Sequence, residues 1–561
     1  AWRFTPSGAS ITTLQWFQGP TATGPVIGTT PTLTVCPTAT TTYTAQITYT
    51  LCNGTTLKET DQTTVTVSAN KTWNGSAGTN WNTAANWTPA GVPTAGQGVL
   101  IPNTVNKPLV SGGTAAAACA LNIQSGATVT VNPGNTLTVT NGVTIAAGGD
   151  LILEDTGSLV QINNTANSGI AHIKRTTRPM YYFDYSYWNS PVTAASAFAV
   201  GNLTSGTGHI YRYTPTQGGS NGIWTQVAAG TAMNPTFGII ARAPSTFPSS
   251  GAKQTYTTTF VGTPNNGDIN VPISKGNDTN MGSTAPSGGS TVVTAADDEW
   301  NLIGNPYPSA IDIQTFLSDP ANVPVVDGTI YLWTHNTPPS TATPDPFYGN
   351  YVSNYTVNDY ATVNNLGTTT TAPSGASGVT KYIASGQSFF ISADDAMPNG
   401  TTQNAVFKNN MRVANSNNSF QKTAVDKNTN TNTISTDGVN SQRVWLNLSD
   451  NNGGFSQLLV GYAEGATLAW DRGFDGEALA GNAVKFYSLG ADRKLTIQGR
   501  FWPFNQNDLV PLGFKTTAQG SYTIGIDHFD AAFNNQNIYL EDKNLSVIHD
   551  LKAAPYNFTS E

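Results

Sequence analysis

Charge is what this sequence has least of: only 10% of its 561 residues are Asp, Glu, Lys or Arg, against about a quarter in ordinary soluble domains. The 33 acidic and 25 basic side chains leave a net charge of −8, and no basic stripe forms, which argues against a nucleic-acid partner. The five histidines, at 172, 209, 335, 528 and 549, fall singly. None sits in an H-E-x-x-H or Cys-paired pattern, so zinc has no support. No apolar run is long enough to span a bilayer; FGII and LLVGYA are strand-sized. The sequence opens at AWRF without a signal peptide, which for an exported protein means one removed or lying upstream. Helix formers are scarce. In their place stand 55 Gly, 32 Pro and many Thr, Ser and Asn, with β-branched and aromatic residues between them. That composition predicts an all-β, multidomain protein with many turns. Its 38% hydrophobic content sets it apart from disordered chains.

The stretch from Leu121 to Asn163 organises the rest. Glycines 126, 134, 149 and 157 each open a short alternating run, ATVTV, NTLTV, DLILE and SLVQI. A shift of 23 carries Gly126 onto Gly149 and Gly134 onto Gly157. Strand-length runs with glycine corners at such a period predict a stacked β-solenoid. Val129/Val131, Leu137/Val139, Leu151/Leu153 and Val160/Ile162 would face its interior. With only about two repeats visible, neighbouring segments must cap the ends.

Taken in order, residues 1–69 read as an immunoglobulin-like sandwich, with Trp16 in the place of the core tryptophan and Tyr43 in that of the corner tyrosine. It lacks an opening strand, so further chain is expected upstream. Cys36 and Cys52 flank the corner and are read as a disulfide closing a loop of about 16 residues, worth roughly 3 kcal/mol; two buried thiols are the alternative. Cys119 is then the odd one, a buried small hydrophobe. Residues 70–97 carry Trp73, Trp81 and Trp87, either a sugar-stacking platform or, as we read it, a plug for the solenoid of residues 98–167. Residues 168–413 read as a large β-sandwich with insertions. One helix is expected there, in NPYPSAIDIQTFLSDP, with Ser309 as N-cap and Asp312 at the third position. Residues 414–440 form a polar linker, and residues 441–561 a C-terminal β-sandwich.

The phrases TWNG…NW…VPTAG, DYSYWNSPV, EWNLIGNPYPSAIDIQTFL, GQSFFIS, RVWLNLSD and NIYLEDKNLSVIHDLKAAPYNFTSE resemble large cell-surface proteins of Flavobacterium-type Bacteroidota. The first 69 residues are similar to the immunoglobulin-like repeats of their gliding and adhesion proteins. The resemblance implies export through the type IX secretion system and an extracellular place at the outer membrane. It also implies a carrier β-barrel as partner, which binds a C-terminal sorting domain that this sequence does not contain. It carries no catalytic residues over.

Chemistry is thinly signalled. Ser220, in GGSNG, matches the serine-hydrolase elbow formally, but its surroundings read as a polar hairpin. Asp297, Asp298 and Glu299 form the densest acidic cluster, which sequence alone cannot turn into the spaced carboxylate pair of a glycosidase. Asp471 and Asp475, in WDRGFDGE, are candidate oxygen ligands for calcium, the one cofactor considered. Trp188, Tyr211, Tyr213 and Trp224 are candidate stacking residues for a surface glycan. The functional expectation is a non-enzymatic adhesin or stalk segment; the alternative is a secreted polysaccharide-binding or polysaccharide-degrading enzyme.

Overall fold

A computed structural model describes residues 10–560 except 36, 38–39, 52, 66–69, 114, 207, 217–221, 278–280, 285–290, 294–298, 336, 342, 344–352, 372–378, 419–440, 480–483, 491–492 and 517. Nearly all its regular structure is β, and it includes a short solenoid of about three turns. Among the described residues no helix is long and apolar enough to cross a membrane, which leaves β-barrels unaddressed. The chain divides into two compact units, residues 1–152 with 159–170, and residues 153–158 with 171–561.

In the first unit, Ser10–Gln18, Val26–Gly28, Thr41–Thr50 and Thr56–Val65 make one antiparallel sheet. Trp16 pairs with Ala45 across it, and Tyr43 and Tyr49 are buried on the same strand. A second, facing sheet is not found among the described residues of 1–69. Cys36 and Cys52 lie outside the described residues. Cys119 is disulfide-bonded rather than free, which corrects the expectation for it.

The solenoid has three parallel faces, each coil giving one short strand to each. Lys71–Trp73, Val99–Ile101, Leu121–Ile123 and Val143–Ile145 line one. Ala116–Ala118, Thr136–Val139 and Ser158–Gln161 line another. Leu121 pairs with Val99 and with Val143, so the period on this face is 22, not 23; on the other two faces Leu109 pairs with Thr130 and Ala116 with Leu137, an offset of 21. Gly126 accordingly stacks on Gly148, whose carbonyl accepts its N–H at 2.9 Å, and not on Gly149. Both sit at positive φ, +72° and +77°, the left-handed corner that glycine adopts without strain. The same correction reassigns the last strand. A one-residue slip exchanges the faces of a strand. Leu159 is therefore the interior residue, while Ile162 is 45% exposed.

The tryptophan segment starts the stack. Lys71 and Thr72 pair in parallel with Val99 and Leu100, and the Trp81 N–H bonds the Leu109 carbonyl at 3.0 Å. Trp87 lies edge-on to Trp73 and Trp81, with centroids 5.0 and 4.8 Å away. All three are buried.

In the second unit a central sheet, in the order Trp300–Gly304, Ser388–Ala393, Val326–Trp333 and Tyr360–Val363, is buried on both faces. Alternation sends Ile303, Ile330, Leu332, Phe389 and Ile391 into an aliphatic core. Leu302, Tyr331, Trp333, Tyr360 and Phe390 go to an aromatic layer on the other side. The helix is shorter than expected, Ile313–Ser318, and its N-cap is Asp312, whose carboxylate accepts from Gln314 N at 2.9 Å. Ser309 cannot cap it, because Ala310–Asp312 is a strand paired with Tyr382–Ile383. Ile313, Phe316 and Leu317 are buried. The C-terminal sheet runs in the order Leu512–Thr516, Val484–Leu489, Lys494–Phe501, Phe455–Ala463, Ser441–Asp450, Gly520–Phe529 and Tyr556–Ser560. Leu366 packs against one face of it, with Trp445, Leu459, Ala463 and Ile497.

Candidate functional site: an aromatic layer and a carboxylate seam

The aromatic candidates share one sheet, where Tyr185–Trp188, Ile239–Arg242, Ile210–Thr214 and Ile223–Gln226 lie side by side. Antiparallel register places Tyr187, Tyr211, Tyr213 and Trp224 on a common face. That face turns inward. Tyr213 meets Phe390 edge-on at 5.0 Å and Trp224 at 5.5 Å. Tyr187 stacks on Trp333 at 5.7 Å and shares a 2.6 Å hydroxyl bond with Tyr360; burial pushes its phenol far up. Trp188 points the other way, fully buried 6.0 Å from Phe260. Trp188 and Tyr213 therefore offer no ring face to a sugar. Tyr211 and Trp224 are only half-buried, and the Tyr211 hydroxyl lies 3.3 Å from His209 Nδ1.

Asp471 and Asp475 do come together, but their oxygens serve their own loop. Asp471 accepts from the Thr467 N–H and, at 3.0 Å, from the Thr467 hydroxyl. Asp475 accepts from Asp471 N and Gly499 N, each at 2.8 Å. Burial raises the Asp475 carboxyl to about 6. A calcium ion would have to displace these amides, and among the described residues no group of three His, Cys, Asp or Glu is placed to hold a metal. Ser220, Asp297 and Asp298 lie outside the described residues. Glu299 pairs with Lys275 at 3.1 Å.

Two arrangements escaped the sequence reading. The first is His335, whose Nε2 lies 2.5 Å from Asp184 Oδ1 in a buried pocket of rings from Phe183, Trp333 and Tyr355. The Arg178 guanidinium donates to the His335 carbonyl. Burial holds the His335 imidazole below its usual range, against the pull of Asp184. The second is a seam where the central sheet meets the C-terminal sheet. Arg472 donates to the Val326 and Leu317 carbonyls at 2.7 and 3.0 Å and pairs with Asp394 at 3.3 Å. Arg493 pairs with Asp395 at 2.5 Å. Tyr331 and Thr329 donate to the Glu477 and Asp475 carbonyls at 3.0 and 2.8 Å. Asp327 is buried among them, and burial pushes its carboxyl up to about 7. Nearby, Tyr360, Thr362, Phe455, Gln457, Lys485 and Thr496 help line a cleft of about 430 Å³ that includes open solvent. No Asp or Glu is among its described lining residues.

Neither arrangement was visible in sequence, since partners such as Asp184 and His335 are far apart in the chain. The WDRGFDGE segment, which brings Arg472, Asp475 and Glu477 to the seam, was singled out in sequence only as a calcium candidate.

Residues 72–561 match the model of a family described as a domain of unknown function, DUF8693. No curated protein and no solved structure matches the chain.

Proposed function

The chain belongs to the DUF8693 family, and we propose that it is a non-enzymatic extracellular protein, an adhesin or stalk segment that presents β-modules at a cell surface. The observation that carries this reading is how the ionisable side chains are used. Arg472, Arg493, Asp394 and Asp395 tie two sheets together, and Asp471 and Asp475 staple a loop. Such fixtures favour a stiff body over a reactive groove. Glycosidase chemistry needs two carboxylates facing a substrate across about 5–10 Å, and the described residues that line the cleft beside the seam include neither Asp nor Glu.

The phrases shared with type IX secretion substrates support export by that route, retention at the outer membrane and a carrier β-barrel as partner. A surface glycan is the proposed target, met through half-buried rings such as Tyr211 and Trp224 and through backbone and amide groups. With so little charge, binding should depend weakly on salt.

The test deletes the gene in its source organism and incubates the purified protein with a panel of polysaccharides. Loss of surface attachment or gliding without any cleavage supports the reading. Normal attachment together with polysaccharide cleavage overturns it in favour of an enzyme.

A further inference from the structure

We propose that Asp327 and the ion-paired groups around it form a pH-dependent latch between the central sheet and the C-terminal sheet, tight in acid and slack at neutral and alkaline pH. Asp327 is the second residue of Val326–Trp333, and its carboxyl accepts the Gly328 N–H at 2.7 Å. The charged groups that face it are Arg472 from the C-terminal side and Asp394 and Asp395 from the segment after Ser388–Ala393. Tyr331 stands on its own strand, with Glu477 and Arg493 beyond it. Lys275 closes the ring, paired with Glu299 and donating to the Asp395 carbonyl at 2.8 Å.

The cations near Asp327 are shared with other acceptors. Arg472 is held by two carbonyls and Asp394, and Arg493 by Asp395 and the face of Trp470, 4.3 Å from the ring centroid. A negative charge on Asp327 would have only a shared Arg472 to set against two carboxylates and the loss of water around it. The closed seam therefore keeps Asp327 protonated up to about pH 7, whereas an opened seam exposes an ordinary carboxyl that ionises near pH 4.

A carboxyl raised in the closed state stabilises that state fully below the open-state value, and the benefit is lost as pH rises to the closed-state value. Opening thus releases one proton. Its equilibrium constant should rise by up to about tenfold per pH unit between roughly 4 and 7, then level off. Burial raises Asp475, Glu477 and Glu299 as well, so they act in the same sense.

The test is hydrogen exchange of the backbone amides of 471–477 in the full chain from pH 5 to 8, corrected for intrinsic exchange. Asp327→Asn keeps an acceptor for Gly328 N and removes the proton. The expected result is a variant profile shallower than wild type by about tenfold per pH unit up to pH 7. If that variant fails to fold, Asp395→Asn removes one of the like charges and should move the levelling point to lower pH. Equal slopes for wild type and Asp327→Asn, or an unmoved levelling point in Asp395→Asn, overturn the proposal.

Discussion

Gly328 and Gly473 back onto each other so closely that a Cβ on Gly328 would lie 2.1 Å from the Gly473 nitrogen. Gly328 has no positive φ to require glycine, so the requirement is purely one of space. Gly328→Ala must separate the strand from the Arg472 loop, at a cost of about 1–3 kcal/mol or more. Gly230→Ala, at a position with nothing within 4 Å of the added carbon, should stay within about 0.5 kcal/mol. Chemical denaturation of the two variants measures the difference.

The solenoid interior gives a second comparison. Leu137 and Leu159 are fully buried, whereas Ile162 is 45% exposed. Leu137→Ala and Leu159→Ala should each cost about 2–5 kcal/mol. Leu137→Asp should be worse, because it buries an unpaired carboxylate. Ile162→Ala should cost far less than either alanine variant. Thermal unfolding decides the matter, and an Ile162→Ala penalty equal to that of Leu159→Ala would restore the 23-residue register.

Cys119 should resist alkylation until the protein is reduced, because it is disulfide-bonded. Peptide mapping without reduction will identify its partner. Cys119→Ser should lose about 2–5 kcal/mol, read as an earlier denaturation midpoint. Ready alkylation of Cys119 in the unreduced native protein would rule the bond out.

His335 should make the second unit acid-sensitive. Its folded-state value is depressed by burial, so its contribution is present above the unfolded value of about 6.5 and lost as pH falls below it. His335→Asn suits the positive φ of +48° and removes the titration. The melting temperature of wild type should fall more steeply from pH 7 to 5 than that of the variant. Asp327 acts in the opposite sense, so the contrast is cleanest in an Asp327→Asn background.

The β class, the solenoid, the tryptophan cap and the buried face of the helix were legible because they rest on local periodicity and composition. The solenoid period was not, because glycine pairs occur at both 22 and 23. Gly148 and Gly149 are adjacent, and the two readings are separated only by contacts between coils, the pairing of Leu121 with Val143 and the hydrogen bond from Gly126 N to Gly148 O. Thr156 hid the true spacing further: it stands 22 residues after Gly134 and takes the same left-handed backbone, φ +66°, where a glycine would have marked the corner. The aromatic candidates were ambiguous for a different reason. Alternation assigns Tyr211 and Tyr213 to one face, but nothing local says that Phe390 will cover one and leave the other at the rim. The Asp184–His335 pair and the carboxylate seam depend on contacts between distant strands, which a single sequence does not encode visibly.

The three indoles of the cap have an optical consequence. Trp73 and Trp81 each meet Trp87 edge-on with centroids within 5.0 Å, close enough for their electronic transitions to couple and give a circular-dichroism couplet that isolated tryptophans lack. The chain has twelve tryptophans, but this trio belongs to the first rungs of the stack, so its couplet reports on that end of the solenoid. Fraying there would erase the signal while the far-ultraviolet spectrum of the many other strands stayed intact.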